Sequence, residues 1–192
     1  MTTAFAAGTH ILTARGEVAV EALRADDAIE TAAGDFRPVV FLGRRRVDCA
    51  RHPEPRLVWP VRVRADAFAD GLPSRDLRLP PDHAVYLDEV LIPIRCLIDG
   101  VTIVQDAVEE VVWWQVELPE RNVIFAEGLP CESCPDPDGR TEFENGGTVV
   151  RLHPRLTSGA RSLVPNETLA RIRSYLLERA SLAAASALLT SR

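Results

Sequence analysis

Lysine is missing altogether: all 22 basic residues of this 192-residue chain are arginine, which we read as codon-composition bias and not as a functional signal. Positive charge is short overall as well. With 28 acidic residues the formal net charge is -6, which argues against the concentrated basic surface that a phosphate backbone requires and excludes nucleic acid as the expected partner. The single dense basic run, Arg44-Arg45-Arg46, reads as a solvated strand end or turn. Cysteine is scarce too. Cys49, Cys96, Cys131 and Cys134 are too few and too scattered for a disulfide framework, so reduced thiols in a cytoplasmic protein are expected. Nowhere do 18 consecutive apolar residues occur, and the start MTTAFAAGTH lacks a basic segment followed by an apolar core. Neither a membrane span nor an export signal is therefore expected.

What is present suits a globular domain. Hydrophobic residues make up 46% and charged residues 26%, an ordinary soluble balance. A chain of this length can form one domain with an appendage and bury roughly 70% of the surface its unfolded form exposes. Short apolar runs punctuated by turn residues dominate. His10 to Thr13 and Glu17 to Val20 flank a turn at Ala14-Arg15-Gly16, and Ala28 to Thr31 precedes another at Ala33-Gly34-Asp35. Pro38 to Leu42 reads as a buried strand stopped by Gly43, and a further strand carries Val61 and Val63. Glu109 to Leu118 and Val123 to Phe125 follow later. Eight to ten strands with little helix between them predict an all-β domain.

The stretch RLPPDHAVYLDEVLIPIRCLIDGVTIVQ organises the middle of the chain. Its breaks at Asp88-Glu89 and Asp99-Gly100 predict two successive β-hairpins. Pro80-Pro81-Asp82-His83 leads into the first, and proline fixes the backbone there, so His83 emerges at a defined strand start, positioned for chemistry. The bland reading of His83 is a partly buried ring bonded to a neighbouring carbonyl.

From Cys131 the polar, turn-rich CESCPDPDGRTEFENGG predicts an exit from the β core. Residues 148–165 read as an irregular linker. Asn166 is placed to cap a helix in which Leu169, Ile172, Leu176, Ala180 and Ala183 recur at helical spacing, with an end from Ser181 to Arg192 expected to fray. That apolar face can dock on the domain or on a protein partner.

Taken together, FAAGTHILTARGEVAVEALRADD, LRLPPDHAVYLDEVLIPIR, IVQ and VELPERNVIFAEGLPCES resemble the bacterial Hint (Hedgehog/intein) domain family. The resemblance runs from about Ala4 to Gly147, giving a Hint-like domain over 1–147, a linker over 148–165 and a helix with tail over 166–192. It implies a horseshoe of long curved β-hairpins with two pseudo-symmetric halves and a C-terminal α-helical appendage. It also implies autoprocessing: an initial cysteine, serine or threonine attacks the preceding carbonyl in an N-to-S/O acyl shift, and a second nucleophile resolves the bond, as in protein splicing. By the same motif the nucleophile falls on Ala4, which has none. His83 falls on the histidine that donates to the scissile amide, with Asp82 beside it. A family serine or threonine three positions earlier is replaced by Pro80.

Thr9 and perhaps Gln115 or Asn122 are expected in the same cleft. Gln115, Arg121 and Asn122 stand near positions where the family carries a histidine or aspartate, and none of the three is a good proton carrier near neutrality. Asn145-Gly146 is the nearest counterpart of a terminal splicing asparagine, but glycine follows it, so its plain reading is a flexible turn. Only Met1, Thr2 and Thr3 precede Ala4, so an active site would have little to release. The expectation is an inactive or degenerate copy of an autoprocessing domain that needs no cofactor and is a monomer.

Two other classes compete. A non-catalytic interaction scaffold would keep the fold and bind through the C-terminal helix. A zinc protein would use Cys49 and His52 as C-x2-H with Cys131 and Cys134 as C-x2-C; against it, nothing in the sequence brings the pairs together. Trp113-Trp114 points to packing on opposite faces of a strand, not to a sugar platform.

Overall fold

The computed structural model describes residues 3–136, 140, 143–144 and 165–190, with backbone only for 183–190. Among these the chain forms fourteen strands and one α-helix: β1 (Phe5–Ala6), β2 (His10–Thr13), β3 (Gly16–Ala19), β4 (Ala28–Glu30), β5 (Phe36–Pro38), β6 (Phe41–Asp48), β7 (Val61–Val63), β8 (Leu77–Leu79), β9 (Ala84–Leu87), β10 (Val90–Pro93), β11 (Ile103–Gln105), β12 (Glu110–Glu117), β13 (Asn122–Ala126), β14 (Leu129–Ser133) and α1 (Asn166–Thr190). The all-β expectation holds, with the helix as the appendage. Every strand pairing is antiparallel. Three sheets result, ordered β1-β12-β6, β10-β9-β14-β13-β2-β4-β5 with β3 beside β2, and β11-β7-β8.

Sequence period decides which side chains enter the core. On β12, Trp113 and Trp114 face opposite ways, as alternation requires. Trp114 packs against the main core that contains Phe5, Ile11, Leu79 and Ile124, whereas Trp113 joins a small cluster with Ala4 and Ala6. The Trp pair therefore separates the main core from the pocket in front of Ala4.

The hairpin of β9 and β10 turns at Asp88 and Glu89, whose φ values of 48° and 64° are those of a tight primed turn matched to strand twist. The second expected hairpin does not form. Ile94–Leu97 makes a 3-10 turn, and β11 crosses to pair with β7. The Asp99 carboxylate accepts bonds from the amides of Val101, Thr102 and Ile103 at 2.7–2.9 Å, so a local side-chain cage replaces the hairpin ladder.

Gly43 does not stop its strand; it lies inside β6. A Cβ there would sit 2.7 Å from the Phe41 ring and 2.8 Å from the Phe143 ring, so glycine serves close packing and not termination. Arg44-Arg45-Arg46 is correspondingly mid-strand, not a strand end or turn, with Arg44 paired to Glu144 and Arg46 to Glu110. Cys131 does not leave the core either: it is fully buried in β14, opposite Val85 of β9.

Helix α1 begins one residue earlier than a capping Asn166 would give, because Leu169 N–H donates to the Pro165 carbonyl. It also continues to Thr190 through residues expected to fray, since alanine and leucine are strong helix formers. Ile172, Leu176 and Ala180 are buried. Arg173 donates to the Cys96 carbonyl and Tyr175 to the Phe68 carbonyl, so the apolar stripe docks on the β domain. Among the described residues no helix is long and apolar enough to cross a membrane. Asn145-Gly146 lies outside the described residues, as does all but the last residue of the linker expected over 148–165.

Candidate functional site

Ala4 enters the fold just ahead of β1, whose two residues pair with Trp114 and Trp113 of β12. Its methyl group is buried and lines a cavity of about 140 Å³ with Pro80, Pro81, Trp113 and Phe143. On the other side, Pro80 to His83 forms a turn closed by the His83 amide on the Pro80 carbonyl at 3.0 Å. Two consecutive prolines leave that turn little freedom. The ring of His83 is thereby delivered against Ala4 across 79 positions of sequence, and it packs edge-on to Phe5 with ring centres 4.9 Å apart.

The partners of His83 set its protonation. Nε2 lies 3.0 Å from the Glu132 carbonyl, an acceptor only, so this nitrogen carries the proton and donates. Nδ1 then presents a lone pair, and the Ala4 amide donates to it at 3.2 Å. The Ala4 carbonyl oxygen is also 2.8 Å from Nδ1, a contact that becomes a hydrogen bond only when Nδ1 is protonated. Burial without a carboxylate partner pushes the His83 pKa down to about 4, so the ring is neutral at pH 7. A neutral imidazole whose basic nitrogen touches one amide nitrogen is arranged to hold or pass a proton at that atom.

That amide belongs to the Thr3–Ala4 peptide bond, which is gripped on its other side too. Thr3 is buried. Its hydroxyl donates to the Cys134 carbonyl and accepts from the Cys134 amide, both at 3.3 Å. The segment Glu132 to Cys134 therefore contacts both ends of the arrangement: its Glu132 carbonyl orients His83, and Cys134 fixes Thr3. Arg121 pairs with the Glu132 carboxylate at 2.6 Å. Burial raises the Cys134 pKa, and the nearby Arg121 guanidinium opposes that rise.

The other expected site residues are distributed as follows. Asp82 forms an ion pair with Arg95. Thr9 is buried and belongs to the turn after β1, where its amide bonds to the Ala6 carbonyl and its own carbonyl receives Val20 N–H. Gln115 is fully buried and donates to Glu117 at 2.6 Å. Glu117 is in turn clamped by Arg140. Asn122 sits opposite Ser133, with its side-chain oxygen 3.3 Å from the Val123 amide. Ala4 and His83 are brought together, then, while Thr9, Gln115 and Asn122 are bonded to other partners.

Among the described residues no three His, Cys, Asp or Glu side chains converge on a possible metal position. The four residues of the zinc reading do not form such a group. The Cys49 thiol faces the carbonyls of Val47 and Val58, and the His52 ring bonds to the Glu54 backbone. The sequence did not foretell that the Thr3 hydroxyl docks on the backbone of Cys134. The family-like block VELPERNVIFAEGLPCES ends at Ser133, one residue short of that partner.

A family model described as the Hint domain matches residues 3–137. Among solved structures, a variant of the gp41-1 intein is 8% identical, with 67% of this chain and 97% of that chain covered at a TM-score of 0.46. A DnaB intein from Synechocystis sp. PCC 6803 is 13% identical, with 69% and 99% covered at 0.45. A bacterial intein-like domain from Clostridium thermocellum is 17% identical, with 68% and 98% covered at 0.43. Among curated proteins nothing matches the chain.

Proposed function

The chain belongs to the Hint domain family, and from that premise we propose that it is an autoprocessing domain degenerate at its opening step, because residue 4 cannot begin the acyl shift. The observation that carries this reading is the pairing of His83 Nδ1 with the amide of Ala4 at 3.2 Å beside a side chain that is only a methyl group. Peptide cleavage by acyl shift needs a nucleophile on the residue that follows the scissile carbonyl and a proton for the departing nitrogen. His83 Nδ1 stands at that nitrogen, where it would pass on a proton taken up from the nucleophile. Ala4 lacks the first requirement, the nucleophile.

The test is to fuse a reporter protein upstream of Met1 and replace Ala4 by cysteine. The cavity in front of the methyl leaves room for a sulfur atom. Ala4→Cys is expected to give thiol-dependent release of the reporter, slowly, because Pro80 and Gln115 lend no general acid or base, a contribution of roughly 10² to 10⁴ in rate. Adding His83→Gln should reduce that release by about a hundredfold or more. If Ala4→Cys releases nothing while folding normally, the assignment of residue 4 and His83 to an autoprocessing site is wrong.

A further inference from the structure

Helix α1 grips the segment of chain that begins at His83. From His83 the chain runs through β9, the tight turn at Asp88-Glu89 and β10 into the 3-10 turn Ile94–Leu97. That turn folds back on the residues before β9. The Ile94 amide donates to the His83 carbonyl at 2.9 Å and the Arg95 amide to the Pro81 carbonyl at 3.0 Å, while the Arg95 guanidinium pairs with Asp82. The backbone that carries the His83 ring is therefore held by the amides of Ile94 and Arg95. Helix α1 in turn holds this segment at two points. Arg173 Nε donates to the Cys96 carbonyl at 2.6 Å, and Arg171 pairs with Asp88 at 3.1 Å. Between those arginines, Ile172 is buried in the same apolar core as Ile94 and Leu97. The far half of the helix is anchored elsewhere, on the loop before β8, where Arg179 donates to the Asp66 carbonyl and pairs with Asp70.

We propose that α1 is a positioning element for the Thr3–Ala4 site, with Arg171 and Arg173 holding the stretch 88–97 so that His83 stays against the Ala4 amide. The carbonyls at the end of a short helical turn have no partner within it, and the one at Cys96 takes a charged donor from Arg173. Without that tether the Ile94–Leu97 turn opens more often. Each opening breaks the bonds to the His83 and Pro81 carbonyls, and with them goes the constraint that keeps Nδ1 3.2 Å from Ala4 N. Neither arginine touches the Thr3–Ala4 bond, so an effect on that bond has to pass along the stretch 83–97. The role in catalysis rests on the autoprocessing reading, whereas the coupling of α1 to His83 is a property of the fold and is measurable by itself.

The experiment uses the full chain labelled with nitrogen-15, read by amide hydrogen exchange and by the ring nitrogen resonances of His83. The variant is Arg171→Ala combined with Arg173→Ala, whose side chains are both exposed, so the core stays whole. Exchange of the Ala4, Ile94 and Arg95 amides should rise by about tenfold, the scale of losing one charged hydrogen bond, while amides of the β6–β12 ladder keep their rates. The Nδ1 and Nε2 resonances of His83 should move toward each other as the ring loses its fixed tautomer. Arg179→Ala, which releases only the far half of the helix, should leave all three amides unchanged. A rise shared by the β6–β12 ladder, an equal rise in Arg179→Ala, or no rise at Ala4 overturns the proposal. In the Ala4→Cys reporter fusion, the same pair of substitutions should slow thiol-dependent release by about tenfold. If exchange responds as expected and that fusion releases nothing, the autoprocessing reading fails and the coupling stands. If the fusion releases at one rate with and without the two arginines, the positioning role is overturned and the autoprocessing reading stands.

Discussion

Acid should weaken this fold through one identifiable group, His83. In the unfolded chain a histidine titrates near 6.5, whereas in the fold burial holds His83 at about 4. The folded-state value is the lower one, so between these pH values the unfolded chain binds a proton that the native state refuses. The stability associated with neutral His83 is fully present above pH 6.5, is lost progressively as pH falls, and is gone by pH 4. A shift of this size corresponds to about 3 kcal/mol at about 1.4 kcal/mol per pH unit, and about 2.5 kcal/mol of it has disappeared by pH 4.5. That is a sizeable part of the stability of an ordinary domain.

The assay is urea unfolding of the unaltered chain and of His83→Gln at pH 7.5 and 4.5. Glutamine keeps a donor for the Glu132 carbonyl but has no proton to gain in this range. Carboxylates elsewhere contribute equally to both proteins and cancel in the difference. The unaltered chain should lose about 2.5 kcal/mol more than the variant over this interval. Parallel stability curves for the two proteins would refute the claim that a neutral, desolvated His83 is built into the native state.

Two further outcomes concern the segment that closes the pocket. Gly43→Ala should destabilise by about 1–3 kcal/mol, read from the urea midpoint, because the new Cβ meets the rings of Phe41 and Phe143 at 2.7 and 2.8 Å; an unchanged midpoint would mean that Phe143 is not seated there. Arg140→Ala leaves the fully buried Glu117 without its cation and should cost about 3–5 kcal/mol. Adding Glu117→Gln should recover a large part of that loss, whereas a second, additive loss would show that the pair is not coupled.

Strand boundaries were legible wherever period and turn chemistry coincided. Asp88-Glu89 and the alternation about Val61 and Val63 are found where expected, and so is the separation of Trp113 from Trp114. The errors share a cause: a residue type with a strong local habit was overruled by a distant contact. Gly43 was read as a breaker, but Phe143, one hundred positions away, needs the space. Asp99-Gly100 promised a hairpin, but the partner strand for Ile103 to Gln105 is β7, and sheet pairing over long separations leaves no local mark. The CESC segment reads as an exit because it is polar, although Cys131, Glu132 and Ser133 are all buried in β14 and only Cys134, just past the strand, is partly exposed. Of the site, His83 was visible from its proline frame. Thr3 was not, since nothing in a threonine near a chain start distinguishes a docked hydroxyl from a solvated one.

The docking of the Thr3–Ala4 peptide beside an alanine has a physical reason. Each contact that grips the Thr3–Ala4 bond runs through groups that do not depend on the side chain at residue 4. His83 contacts the amide and carbonyl of Ala4, and Thr3 is bonded to the backbone of Cys134. The strand that follows is held by backbone pairing and by Phe5 in the core. Exchanging a nucleophile for a methyl group at residue 4 therefore removes no hydrogen bond that the fold requires, and the methyl is itself an acceptable neighbour for Trp113. Selection for stability would preserve the docked peptide with or without chemistry at that position. Function must accordingly be argued from the atoms at the bond and not from retention of the fold, and here those atoms place a histidine on its nitrogen and only a methyl group on the residue that follows it.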